Sequence, residues 1–342
     1  MRHVHFVGSI GLDSTEEVFK AVGETVKPLL KRCPDGEVGA RRLWISYQWP
    51  LLRATSFLEV ASDTPMPGMG LCILRVRAGA DAQIHFGDLG YAREARTSYQ
   101  DFLAARASGQ LLASTRFQVC LPTPAAVIGA FVIPQDIAKV LPAYEKAMLR
   151  EVARICDAIP HEDLAIQWDV CVEMVQWDGC SPTIGPFPAM EAAFAAIFKR
   201  LAAAVPPNVE LGFHLCYGDL DAKHFIEPLD LGKAVSLANL IIRNAGRRVT
   251  WIHMPVPIDR DDEGYFAPLA GLERSDSLEL YLGLVHAADG TEGTIRRMKA
   301  ASVFVREFGI ATECGISRAR TPELAREIMR VHAEAATRES TA

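Results

Sequence analysis

The 342-residue sequence has no surplus of positive charge: 36 Lys and Arg stand against 42 Asp and Glu, a formal net charge of −6. That balance lacks the basic footprint needed to neutralise phosphates, so no nucleic-acid partner is predicted. No run approaches the ~20 uninterrupted apolar residues of a membrane span, so no membrane partner is predicted either. Met1-Arg2-His3-Val4-His5-Phe6 enters strand-like sequence directly, which reads as a cytoplasmic protein without a cleaved signal. The eight cysteines, at 33, 72, 120, 156, 171, 180, 216 and 314, form no dense framework of the kind that staples small secreted domains. Each is read as a reduced thiol, either core filler or ligand. Neither GxGxxG nor GxxxxGK(S/T) follows any predicted strand, which removes the main support for a nucleotide-binding open sheet.

What is present is alternation. Short β-branched and apolar runs at 3–9, 71–76, 116–121, 164–170, 210–217, 248–254, 278–285 and 309–314 read as strands. Amphipathic stretches at 15–30, 92–106, 137–155, 189–204, 231–245, 294–308 and 322–336 read as helices. Ser14-Thr15-Glu16-Glu17 and Thr321-Pro322-Glu323 carry capping hydroxyls and, in the second, a first-turn proline. Eight strands, most of them leading into helices, predict an α/β fold: a (β/α)8 TIM barrel with elaborated βα loops, forming a single unit over 1–342. The Pro- and Trp-containing region 34–67 and the acidic region 255–272 are read as such loops, on the face where chemistry gathers.

His214 and Cys216 lie two residues apart at the C-terminal end of a predicted strand and so project to one face. Alone the pair is weak, since buried cysteines are common and most histidines are satisfied by hydrogen bonds. Cys314, before Gly315, ends the last predicted strand. In a barrel all strand C-termini meet at one mouth. His214, Cys216 and Cys314 would then form the mixed N/S set that suits zinc, and three ligands with a variable fourth position describe a catalytic metal.

Gly212-Phe213-His214-Leu215-Cys216-Tyr217 and Glu313-Cys314-Gly315-Ile316-Ser317-Arg318 resemble the zinc-ligand segments of cobalamin-independent methionine synthase. Phe6-Val7-Gly8-Ser9, Asp35-Gly36-Glu37-Val38-Gly39-Ala40-Arg41-Arg42, Leu164-Ala165-Ile166-Gln167-Trp168-Asp169 and Leu284-Val285-His286 match in the same order. The likeness covers the family's C-terminal catalytic barrel and its short single-barrel relatives; the duplicated N-terminal barrel has no counterpart.

The resemblance implies a zinc-dependent enzyme that transfers a methyl or other small alkyl group to a thiol, with homocysteine the nearest named acceptor. By resemblance, Glu37 and Asp169 would hold the amino group of the acceptor, Gly8 and Ser9 would face its carboxylate, and His286 would transfer a proton. Read without it, Asp169 could cap the next segment and Glu37 could pair with Arg41. The family's fourth zinc ligand is a glutamate, and His253 stands there. Either His253 binds zinc, leaving a formally neutral site, or it makes a hydrogen bond and the protein supplies three ligands. The family's pterin-stacking Trp is missing from Pro122-Thr123-Pro124-Ala125-Ala126-Val127-Ile128-Gly129-Ala130-Phe131, which argues against a folate donor unless Phe131 or Trp168 stacks instead. Alternatives are zinc-assisted C–S lyase or addition chemistry, thiol methylation with a corrinoid protein partner, and a non-catalytic metal- or thiol-binding barrel. Trp44 and the other tryptophans, and the six cysteines other than 216 and 314, are read as packing. Cys171 with Cys180 is a weak candidate for a second metal pair, since no histidine is near and the spacing is unspecific. Amphipathic outer helices look alike in monomers and dimers, so no oligomeric state is predicted.

Overall fold

The computed structural model describes residues 1–66, 70–179, 187–220 and 223–338. The strands are β1 (Arg32–Pro34), β2 (Leu58–Val60), β3 (Leu74–Val76), β4 (Arg116–Pro122), β5 (Leu164–Val170), β6 (Glu210–Leu215), β7 (Trp251–Pro255), β8 (Glu279–Gly283) and β9 (Gly309–Ile310). The helices are α1 (Thr15–Val26), α2 (Trp49–Arg53), α3 (Tyr91–Ala107), α4 (Pro124–Phe131), α5 (Pro134–Ala158), α6 (Val172–Trp177), α7 (Phe187–Ala203), α8 (Gly232–Asn244), α9 (Glu263–Phe266), α10 (Gly290–Ser302) and α11 (Pro322–Thr337). Among the described residues, seven strands form one parallel sheet in the order β1-β4-β5-β6-β7-β8-β9, and β2 and β3 form a separate antiparallel pair.

Parallel strands need cover on both faces. In β5, Leu164, Ile166, Trp168 and Val170 alternate with Ala165, Gln167 and Asp169, and all seven are buried. The outward set packs beneath helices: Trp168 registers with Phe213, which stacks edge-on against Phe198 of α7. Helix α5 turns Val140, Tyr144, Met148, Val152 and Ile155 to the core at helical spacing. The expected starts of α1 and α11 are present, with Ser14 Oγ accepting from the Glu17 amide at 3.2 Å and Thr321 Oγ1 from the Leu324 amide at 3.3 Å.

Three expectations change. The second barrel strand is β1, not 71–76: β1 pairs with β4, whereas Leu74–Val76 pairs antiparallel with β2. Residues 3–9 do not form a regular strand. They lie between the edges of the curled sheet, bridging in parallel at single points, Val4 to Leu30 and Ile310, Ser9 to Gly36 and Ile10 to Ile316. Among the described residues the fold is therefore a curled, TIM-like parallel sheet of seven strands rather than a barrel closed by an eighth ladder. Helix α1 stops at Val26 because Pro28 follows, and the chain continues as a 3₁₀ turn over Lys27–Leu29. Among the described residues no helix is long and apolar enough to cross a membrane.

Candidate metal centre

Inside the sheet the side chains stack in rows set by register. At the strand N-terminal end, Arg32 is 2% exposed and donates to Glu210 at 2.5 Å and to Glu279 at 2.9 and 3.2 Å, with its guanidinium 4.3 Å from the Trp251 ring. One row up, Gln167, Gly212 and Trp251 are neighbours. A Cβ on Gly212 would fall 1.9 Å from the Trp251 ring, so only glycine admits this approach. Trp251 Nε1 donates to Gln167 Oε1 at 3.3 Å, and His5 Nε2 bonds the same oxygen at 2.9 Å. The next row is Asp169, His214, His253 and Tyr281.

The hydrogen bonds of that row fix the state of His214. His253 Nε2 lies 3.0 Å from the Thr312 carbonyl, which can only accept, so Nε2 carries the proton. Burial pushes the pKa of His253 down to about 3 and that of His214 well below its usual value, so both rings are neutral. His253 Nδ1 is then a bare acceptor for the Nδ1–H of His214 at 2.6 Å. The remaining nitrogen, His214 Nε2, is therefore an unprotonated lone pair, buried and without a hydrogen-bond partner. A His214 ring nitrogen and the Cys216 and Cys314 sulfurs lie within 4.8 Å of one another, with the sulfurs 3.7 Å apart. An orphaned imidazole lone pair beside two thiols is a donor set for a thiophilic divalent cation. His253 stands outside this triad, with both nitrogens engaged.

A cleft opens above the triad and includes Gly8, Ser9, Glu37, Asp169, His214, Cys216 and Cys314 in its wall. Asp169 does not cap the following helix, and Glu37 does not pair with Arg41. Arg41 pairs with Asp35 at 2.8 Å, and the Glu37 side chain reaches Gly8, where an added Cβ would lie 3.4 Å from Glu37 Oε2. Asp169 is held from inside the cleft by Gln167 Nε2 at 2.9 Å and Trp44 Nε1 at 3.3 Å. Burial, then proximity to Asp169, raises the pKa of Glu37; burial raises that of Asp169.

Several wall residues carried no assigned role in the sequence. Trp44, read as packing, lines the cleft, and it and Glu37 adopt left-handed φ of 51° and 48°. Strained backbone of this kind gathers at ligand sites, but a φ angle leaves no mark in a sequence. Arg318 is a cation in the same wall, Phe225 exposes an aromatic ring there, and Cys171, also read as packing, lines it too. Trp168 and Phe131 are fully buried and offer no face to a pterin. Cys33 and Cys156 are buried, while Cys120 donates to the Val7 carbonyl at 3.0 Å; Cys180 lies outside the described residues.

His286 does not line the cleft. Its Nε2 bonds the Val256 carbonyl at 2.9 Å and its Nδ1 lies 3.6 Å from Glu313 Oε2, so it stands behind the residue preceding Cys314. Burial, then the Arg297 charge, lowers its pKa to about 4.

Two solved structures share this architecture over nearly their full length. One is a protein of Listeria monocytogenes provisionally assigned as a vitamin-B12-independent methionine synthase, with TM-score 0.57 and 14% identity over 97% of this chain and 98% of that one. Another is a B12-independent methionine synthase from Shewanella sp. W3-18-1 in complex with selenomethionine, with TM-score 0.61 and 11% identity over 98% and 96%. At such identities the likeness establishes the fold. No protein-family profile and no curated protein matches the sequence.

Proposed function

We propose that the chain is a single methionine-synthase-like catalytic domain over residues 1–342: a zinc-dependent, cytoplasmic alkyltransferase that moves a methyl or other small alkyl group onto a thiol. The observation that carries this is the unpartnered, unprotonated Nε2 of buried His214 beside the thiols of Cys216 and Cys314, at the floor of a cleft. When bound, zinc supplies a positive charge that favours the thiolate form of a substrate whose free thiol, with pKa near 8.5, is mostly protonated at neutral pH.

The chain's own residues do the rest. His214, Cys216 and Cys314 hold the ion, and His253 holds the tautomer and orientation of His214 from behind. Glu37 and Asp169 receive the ammonium of an amino-acid thiol; their raised pKa values fit a buried carboxyl pair that ionises when a cation enters. The Gly8–Ser9 segment faces the acceptor's carboxylate, and Arg318 adds a positive charge in the same wall. In the transfer an S–C bond forms and the bond between the alkyl carbon and its leaving group breaks. The thiol proton is lost to solvent, from which the departing group takes its proton; His286, outside the cleft wall and kept neutral by burial, is not assigned that transfer. The neighbour that holds selenomethionine, an alkylated chalcogen amino acid, supports an acceptor of the homocysteine class. The donor remains the unassigned partner in the reaction: the fully buried Trp168 and Phe131 support a small alkyl donor over folate.

The test is a panel. Zinc-loaded protein is offered homocysteine and other small thiols with methyl-folate, methylated corrinoid protein and simple alkyl donors, and thioether formation is followed by mass spectrometry. Thioether from any pair that disappears in Cys314→Ser supports the reading. Zinc binding without turnover on the whole panel would favour a non-catalytic metal-binding barrel.

A further inference from the structure

A third thiol, that of Cys171, lines the cleft at the candidate metal centre. Strands β5 and β6 register Asp169 with His214 and Val170 with Leu215, and the Cys216 amide donates to the Val170 carbonyl at 3.0 Å. One step further along both chains, Cys171 falls beside Cys216. Alternation along a strand turns it to the side of the sheet that Asp169 and His214 already face. The side chain is 2% exposed and lines the same cleft as Cys216 and Cys314.

We propose that Cys171 is a third sulfur donor to the ion held by His214, Cys216 and Cys314, making a His/Cys3 set; this rests on the metal reading above. Three other candidate donors around the triad are committed elsewhere. His253 is bonded at both nitrogens, Asp169 is held by Gln167 and Trp44, and Asp219 is gripped by Arg320 at 3.1 and 3.3 Å. The lone pair of His214 Nε2, in a residue 2% exposed, shows that the centre lacks a partner for at least one buried donor. Cys171 is not among the three donors that lie within 4.8 Å of one another, so its coordination comes with a change in its single χ1 torsion.

The proposal has an electrostatic consequence. Two thiolates neutralise a divalent ion; a third gives the centre a net negative charge, the same charge a carboxylate ligand would have given at the position His253 occupies. An anionic centre lowers a bound thiol's pKa less and leaves the thiolate more nucleophilic, because nucleophilicity falls with pKa. Four protein donors would leave no open position, so a thiol acceptor would have to take the place of Cys171 at the ion.

Zinc K-edge X-ray absorption counts the sulfurs directly. Full-length wild type, Cys171→Ser and the control Cys72→Ser are loaded with zinc, and folding is checked by circular dichroism. Three sulfurs at about 2.3 Å are expected in wild type and the control, falling to two in Cys171→Ser with zinc retained. Two sulfurs in wild type, unchanged in Cys171→Ser, overturn the proposal while leaving the His214–Cys216–Cys314 centre standing. Absence of zinc from folded wild type overturns both. The wild-type count decides even if Cys171→Ser fails to fold.

Discussion

His253→Phe separates a residue that orients a ligand from a residue that is one. Phenylalanine roughly preserves ring volume in a fully buried position but removes both nitrogens. The Nδ1–H of His214 loses its acceptor at 2.6 Å, and the Thr312 carbonyl loses its donor at 3.0 Å. Each buried group left unpaired costs about 1–3 kcal/mol of folding stability. For metal affinity the loss is smaller, because only the difference between free and loaded protein counts. With no acceptor behind it, the His214 proton is free to sit on Nε2, where it blocks coordination, and the ring is no longer held at one angle. Outer partners of metal-ligating histidines are worth about 10–100-fold in affinity, or roughly 1.4–2.7 kcal/mol. The assay is zinc competition with a chromophoric chelator, with nitrogen ligands counted by X-ray absorption. His253→Phe should bind zinc about 10–100-fold more weakly with the nitrogen count unchanged. An unchanged affinity would refute the orienting role, and loss of one nitrogen ligand would show that His253 itself coordinates.

Other expectations concern the cleft and its foundation. Asp169→Asn should raise KM for an amino-acid thiol more than it lowers kcat, measured against a thiol lacking the amino group, whose KM should hardly change. Arg32→Ala removes the buried cation between Glu210 and Glu279, which keep Arg116 and Lys31, and should cost about 1–3 kcal/mol in urea unfolding while leaving zinc content intact. Glu279 titrates in acid. Burial raises its pKa, but the Arg32 hydrogen bonds and charge, with Lys31, outweigh this and bring it down to about 2. Its stabilising contribution is therefore present above the unfolded carboxyl pKa of about 4.3 and is lost as pH falls through about 2. Glu279→Gln should flatten that stretch of the stability–pH curve, and an unaltered slope would contradict the assignment. Gly212→Ala should cost about 1–3 kcal/mol by forcing the Trp251 ring aside, read as a lower Tm.

The centre was legible in the sequence to the extent that its logic is strand periodicity. His-x-Cys puts two side chains on one face, and strand C-termini converge, so His214, Cys216 and Cys314 were brought together correctly although Cys216 and Cys314 lie just past the ends of β6 and β9. β1 was hidden because Arg32-Cys33-Pro34 is three residues long and includes an arginine and a proline. A buried arginine looks like surface until its partners are known, and Glu210 and Glu279 lie 178 and 247 residues away. Segment 3–9 was over-read as a strand because its apolar alternation is real while its pairing is broken into single bridges. The place of His253 needed hydrogen-bond directions, and that of Cys171 needed the β5–β6 register; neither is written in local spacing.

The central claim is most directly tested by metal analysis of purified, zinc-supplied protein beside a Cys216→Ser/Cys314→Ser variant, with the fold of both confirmed by circular dichroism. The account predicts one tightly held zinc per wild-type chain and its loss from the folded variant. A folded wild type that holds no zinc, or a variant that keeps the same zinc with the same affinity, would contradict it.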